Sequence, residues 1–150
     1  MKDCIIIIPT YNEKENIAKI IPYTLHLSDR FEVLIIDDGS PDGTAQIVKE
    51  MMLQFPNKIH IIERSGKLGL GTAYITGFKW ALENGYSYIF EMDADFSHPP
   101  EKLLELLDAC ENKGAQLSIG SRYIKGGGVV NWPFDRLFLS ADERFDNFVR

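Results

Sequence analysis

Cysteine is nearly missing from this 150-residue sequence: Cys4 lies in an apolar run and Cys110 in a leucine-rich segment. Two thiols in such surroundings exclude a disulfide framework and a zinc site, and predict reduced core thiols. Long apolar runs are missing too. The longest, Cys4 to Ile8, falls far short of the ~20 residues that span a bilayer. The opening Met1-Lys2-Asp3 lacks the cleavable apolar region of a signal peptide, so the cytosol is the expected compartment. Basic excess is absent as well. With 16 Lys+Arg against 22 Asp+Glu, the net charge is −6, which removes the broad basic face that nonspecific nucleic-acid binding requires. Only local basic patches remain for binding anions. Repeats, low-complexity tracts and linkers are also lacking, and the expectation is one domain over residues 1–150.

What is present is the composition of a globular protein, 45% hydrophobic and 25% charged, enough for a real core. Short β-branched runs at Asp3 to Ile8, Phe31 to Ile36, Ile59 to Glu63, Tyr86 to Met92 and Gln116 to Ile119 predict buried strands. Helical patterns separate them. Asn12 with Glu15 three residues on resembles a helix start, followed by Ile17, Ile20 and Ile21 on one face. Ser40-Pro41-Asp42 places a cap before a first-turn proline, with Ile47, Met51 and Phe55 behind it and Pro56 as the stop. A third helix runs from near Gly71 to Gly85 with Ile75, Phe78, Ala81 and Leu82 facing inward. A fourth opens at Pro99-Pro100, carries Leu103, Leu104, Leu107 and Cys110, and ends at Gly114. Strands separated by single helices predict an α/β fold with a mostly parallel sheet covered on both faces. The tail from Phe134 to Arg150 reads as an amphipathic helix. Its acids favour packing on the domain over an anionic membrane surface.

Ligands of open parallel sheets bind beyond the carboxyl ends of the strands. Three polar clusters converge there: Pro9-Thr10-Tyr11-Asn12-Glu13, Asp37-Asp38-Gly39-Ser40 and Asp93-Ala94-Asp95. The acids at 37 and 38 suit a turn and helix cap, or contact with a base or ribose. Asp93 and Asp95, one residue apart, suit a solvated loop, or a divalent cation bridging a diphosphate. Gly66-Lys67-Leu68-Gly69-Leu70-Gly71 matches neither nucleotide fingerprint. Its glycines are expected to allow close helix packing, while Arg64 and Lys67 bring positive charge towards the site. His98 reads as mainly structural. Arg122, Lys125 and Arg136 flank the glycines at 126–128 and suit either a phosphate or an ordinary solvated surface.

Together, Ile8-Pro9-Thr10-Tyr11-Asn12-Glu13, Asp37-Asp38-Gly39-Ser40-Pro41-Asp42-Gly43-Thr44, Gly69-Leu70-Gly71-Thr72-Ala73, Asp93-Ala94-Asp95 and Gly120-Ser121-Arg122-Tyr123 resemble family 2 glycosyltransferases. Ser97-His98-Pro99-Pro100-Glu101, and Gly126-Gly127-Gly128 through Asn131-Trp132-Pro133, are similar to the polyprenol (dolichyl) phosphate mannose synthase subfamily. The resemblance runs from Cys4 to about Ser140. It implies a GT-A fold and inverting, metal-dependent transfer of mannose from GDP-mannose to a polyprenyl phosphate, at the cytoplasmic face of a membrane. It further implies donor binding by Pro9, Tyr11, Glu13, Asp37, Asp38, Lys67, Asp93, Ala94 and Asp95. Mg²⁺ or Mn²⁺ would be held at Asp93 and Asp95 with Ser97, and the acceptor phosphate by Arg122, Arg136 and Ser140. Asp93, Asp95 and Arg122 are the implied catalytic residues. Family catalytic domains continue beyond Arg150, and the stretch from Ala141 to Asn147 differs from their small or basic acceptor-side helix. The expectation is a catalytic domain truncated or altered at that end.

The base-contacting residues do not distinguish guanine from uracil, so a related transferase using UDP-glucose is an alternative. A donor-binding module with impaired turnover is another. The Asp93-x-Asp95-x-Ser97 spacing also suits an aspartyl-nucleophile phosphatase, but that motif follows the first strand in such enzymes and the fourth here.

Overall fold

Parallel pairing organises the chain. The computed structural model describes residues 3–120, in which strands and helices alternate as β1 (Cys4–Thr10), α1 (Lys14–Leu27), β2 (Phe31–Asp37), α2 (Thr44–Gln54), β3 (Ile59–Glu63), α3 (Leu70–Glu83), β4 (Tyr88–Glu91) and α4 (Lys102–Asn112). The sheet order is β3-β2-β1-β4 and every pairing is parallel. The α/β class read from the sequence is therefore the observed one. The chain divides into two units, Met1–Ser118 and Ile119–Arg150, and the following concerns the first. The expectations for Arg122, Lys125, the glycines at 126–128, Arg136, Ser140 and the helix over 134–150 lie outside the described residues.

Both faces of the sheet are dry, and alternation along each strand divides the apolar residues between them. Cys4, Ile6 and Ile8 of β1 join Phe31, Val33 and Ile35 of β2 beneath α1, α2 and α4. Ile5 and Ile7 join Leu34 and Ile36 beneath α3. Each buried isoleucine contributes about 1.5–3 kcal/mol relative to exposure, which explains why these two strands form the centre. Cys4 and Cys110 are free thiols. Burial, reinforced by Asp3, pushes the Cys4 thiol up to about 12, so it remains protonated and unreactive.

Four local expectations are corrected. Gln116 to Ile119 is not a strand; Leu117 and Ile119 are exposed, and no described strand pairs with the segment to make its ladder. Ile75 and Leu82 also face outward, because the buried stripe of α3 is Ala73, Gly77 and Ala81. These small residues let the helix approach closely: a Cβ at Gly77 would meet Ile7 Cγ2 at 2.7 Å. Close packing thus belongs to Gly77 and not to Gly66, Gly69 or Gly71, around which an added Cβ would meet nothing within 4 Å. Gly69 instead supplies a positive φ of 98° where the chain turns into α3.

The fourth correction concerns helix starts. Asn12 is not the cap of α1; it takes a left-handed conformation, φ 60°, and Glu13 occupies the cap position without its side chain bonding the N–H groups of the helix start. Nor does Ser40-Pro41-Asp42 begin α2, which starts at Thr44 after Gly43 with φ 91°. The residues of this second loop serve the first helix. Ser40 Oγ accepts from Asn12 N–H at 3.0 Å, Thr44 Oγ1 from Glu13 N–H at 3.0 Å and Asp42 Oδ2 from Lys14 N–H at 3.2 Å. Donors that an isolated helix start leaves unpaired are thereby satisfied from 28 to 31 residues away.

Candidate functional site

The order β3-β2-β1-β4 makes the carboxyl ends of β1 and its two neighbours a topological switch point, the usual ligand position in an open parallel sheet. Pairing of β1 with β4 ends at Ile7 and Glu91, whereas pairing with β2 continues to Thr10 and Asp37. Pro9 therefore lacks its donor on the side where β4 has already ended, which an interior strand tolerates. A pocket of about 170 Å³ opens there, lined by Pro9, Thr10, Tyr11, Glu13, Asp38, Lys67, Gly69, Leu70 and Ala73. Five of the expected donor residues, Pro9, Tyr11, Glu13, Asp38 and Lys67, are thus brought together. Tyr11 is 39% exposed, and Lys67 Nζ lies 4.7 Å from the centre of its ring, a cation–π contact joining two loops across the pocket.

Asp37 is placed differently, at 1% exposure. Its Oδ1 accepts from Thr10 Oγ1 at 2.9 Å and Ser40 Oγ at 2.6 Å, and its Oδ2 accepts from Ser40 N–H at 2.9 Å. Both oxygens hold the loop that caps α1. Asp38 faces the other way, accepting from Arg64 Nε at 2.5 Å. Arg64 continues to Thr72 Oγ1 at 2.7 Å and Gly69 O at 3.2 Å, tying the turn before α3 to the end of β2. Its charge goes into this pairing. Glu13 also bonds locally, accepting from Asn16 Nδ2 at 2.7 Å.

The second cluster follows β4. Asp93 Oδ1 accepts from the Tyr74 hydroxyl at 3.2 Å, and Asp95 Oδ1 accepts from Ser97 N–H at 2.9 Å. His98 Nδ1 stands 3.4 Å from Asp93 N and 3.9 Å from Asp93 Oδ2, folding the loop back on itself. Ala94 is buried between the two acids while Ser97 is exposed. Burial works against the Asp95 charge, but bonds from Ser97 and the neighbouring His98 outweigh it and hold the carboxyl below its usual range. Glu91 is pushed up by burial and by Asp93, as expected where negative charge is concentrated.

Among the described residues, no group of three or more His, Cys, Asp or Glu is gathered for a metal. A pair of carboxylates is nevertheless the donor set that suits a hard cation keeping water and phosphate oxygens. Each acid has one oxygen anchored, and the chemistry of this donor pair fits such an ion. Tyr74 escaped the sequence reading. Its signal was its neighbour Ala73 on the inner stripe of α3, which points this part of the helix at the strand ends.

The model of glycosyl transferase family 2 matches residues 5–149. The chain belongs to this family. It is 52% identical over 136 residues to polyprenol monophosphomannose synthase of Mycolicibacterium smegmatis, covering 91% of this chain and 51% of that one. It is 46% identical over 134 residues to undecaprenyl-phosphate mannosyltransferase of Micrococcus luteus, with 89% and 54% covered. The chain thus spans about half the length of these curated relatives. Among solved structures, mannosyltransferase PcManGT from Pyrobaculum calidifontis, in complex with GDP-Man and Mn²⁺, is similar at TM-score 0.54 and 24% identity, covering 67% of this chain and 30% of that one. That likeness bears on the fold, which is of the GT-A type.

Proposed function

We propose that this glycosyltransferase chain moves mannose from GDP-mannose to a polyprenyl phosphate, with inversion and with Mg²⁺ or Mn²⁺. The observation that carries this reading is that the Pro9–Tyr11–Lys67 pocket and the Asp93-Ala94-Asp95 segment follow the carboxyl ends of two paired strands, β1 and β4, in a chain 52% identical to a polyprenol monophosphomannose synthase.

In this reading Pro9, Tyr11, Glu13 and Asp38 receive the nucleoside, with Asp37 acting through the loop it holds. Lys67 meets diphosphate charge, and Asp93, Ala94 and Asp95 face the diphosphate and cation beside Ser97. A bound divalent cation would supply Lewis-acid stabilisation of the departing GDP. The acceptor phosphate is placed by Arg122, Arg136 and Ser140. One of its oxygens forms the new bond to C1 of mannose while the bond from C1 to the GDP oxygen breaks, and the electron pair leaves with GDP. An anionic acceptor needs no general base, so Asp93, Asp95 and Arg122 contribute charge and position. Because the acceptor is a lipid, the reaction belongs at a cytoplasmic membrane face. Peripheral attachment there is part of this proposal; among the described residues no helix is long and apolar enough to cross a membrane.

Calorimetry with GDP-mannose and UDP-glucose, with and without Mn²⁺, tests the donor. GDP-mannose should bind more tightly, and Asp95→Asn should lose the metal-dependent part. Tighter UDP-glucose binding, or unchanged Mn²⁺-dependent affinity in Asp95→Asn, would overturn the assignment. Arg136→Ala should preserve GDP-mannose binding and lower transfer to a short polyprenyl phosphate about tenfold to hundredfold, the worth of one charge-assisted hydrogen bond. A second reading is donor binding without turnover. It predicts GDP-mannose binding with no transfer.

A further inference from the structure

Asp93 and Asp95 are neighbours in sequence, but their side chains are held by different parts of the fold. Asp95 is oriented within its own loop, by the N–H of Ser97. Asp93 receives no such donor from that loop, since His98 Nδ1 stays 3.9 Å from Oδ2, beyond hydrogen-bond distance. Its side-chain donor comes from α3, where the Tyr74 hydroxyl meets Oδ1 at 3.2 Å. Tyr74 is half-buried against the core beneath that helix. The residue before it, Ala73, lines the pocket, so a single turn of α3 carries both the pocket wall and the donor to Asp93.

The hydroxyl is not needed to seat the helix. Ala73, Gly77 and Ala81 already make its buried stripe, and Gly77 lies directly against Ile7. A tyrosine hydroxyl, with an ordinary pKa of about 10, is protonated throughout the neutral range and is the donor of this bond. With Oδ1 engaged, rotation of the carboxylate is restricted and Oδ2 is the oxygen left to meet a ligand.

We propose that Tyr74 is a positioning residue whose hydroxyl fixes the Asp93 carboxylate so that Oδ2 meets the divalent cation of a bound nucleoside diphosphate. This inference rests on the donor-site reading above. Groups that orient a metal-ligating side chain typically change metal affinity by about 10–100-fold when removed.

The test is calorimetric titration of GDP into the parent chain, Tyr74→Phe and Asp95→Asn, each with and without Mn²⁺. Tyr74→Phe keeps the ring and removes only the donor. It should bind GDP as the parent does without metal, and about tenfold or more weakly with Mn²⁺ present. Unchanged Mn²⁺-dependent affinity in Tyr74→Phe, alongside its loss in Asp95→Asn, would overturn the role of Tyr74 while leaving the donor site standing. An equal loss with and without Mn²⁺ would also overturn it, because the ring would then be shaping the pocket. If Mn²⁺ gave the parent no gain in GDP affinity, the donor-site reading and this inference would fall together.

Discussion

Arg64 and Asp38 form an ion pair at 2.5 Å with side chains only 8% and 9% exposed. The pair joins the end of β2 to the start of α3, because the same guanidinium reaches Thr72 and Gly69. Removing one partner leaves the other charge buried and unpaired, a loss of about 3–5 kcal/mol in comparable pairs. Arg64→Met should therefore lower unfolding free energy by about that amount in urea denaturation. Replacing both, as Arg64→Met with Asp38→Leu, should recover much of the loss, and a double mutant no more stable than Arg64→Met would contradict the pairing.

Two glycines of one helix should respond in opposite directions. Gly77→Ala forces a Cβ to within 2.7 Å of Ile7 Cγ2, and overpacking of this kind costs about 1–3 kcal/mol. The gain from replacing a helical glycine, about 1 kcal/mol, offsets only part of it. Gly71→Ala meets nothing within 4 Å and should be neutral or stabilising by up to about 1 kcal/mol. Thermal denaturation of the two variants side by side checks the ordering.

Asp42 should give the acid limb of the stability curve part of its slope. Burial disfavours its charge, but bonds from the Thr44 hydroxyl and N–H and from Lys14 N–H more than offset this, and the carboxyl lies below its ordinary range. A lowered folded value means that the contribution is complete above the unfolded value of about 3.9 and disappears as pH falls through the folded one. Asp42→Ala should cost about 1 kcal/mol at pH 7, as loss of a cap does. The gap from the parent should narrow below about pH 4. Denaturation at pH 7 and pH 3 with the same gap would rule out the charge as its source.

Thr24 sits fully buried in α1, and among the described residues its Oγ1 is the one buried side-chain polar atom without a hydrogen-bond partner. An unsatisfied buried hydroxyl costs about 1–3 kcal/mol, while Val has nearly the same helix propensity. Thr24→Val should raise stability by about 1 kcal/mol, visible as a higher urea midpoint with unchanged slope.

The strands were legible because isoleucines such as Ile5 and Ile6 are buried on opposite faces of one strand, which writes an unbroken apolar run into the sequence. The site clusters were legible because turn residues follow directly on those runs. Partnerships across the fold were not. Ser40, Asp42 and Thr44 look like the start of their own helix, and nothing local shows that their oxygens serve Asn12, Glu13 and Lys14. Gly77 is an unremarked glycine until Ile7 is placed beneath it. Asp37 and Asp38 read as equivalent acids, yet one is bound to Thr10 and Ser40 and the other to Arg64. Such distinctions depend on which strand lies beside which, and local patterning does not encode that.

The distant capping of α1 also has a meaning in time. The start of this helix leaves the ribosome before Asp42 and Thr44 do, and Thr44 lies 31 residues beyond Glu13. At about 5–20 residues per second, the interval is roughly 2–6 s. During that interval the nascent helix start is open to water and fraying, and it closes only when the second strand and its loop arrive. Vectorial synthesis therefore makes the two ends of this cap a checkpoint: the first helix is completed by chain that follows it.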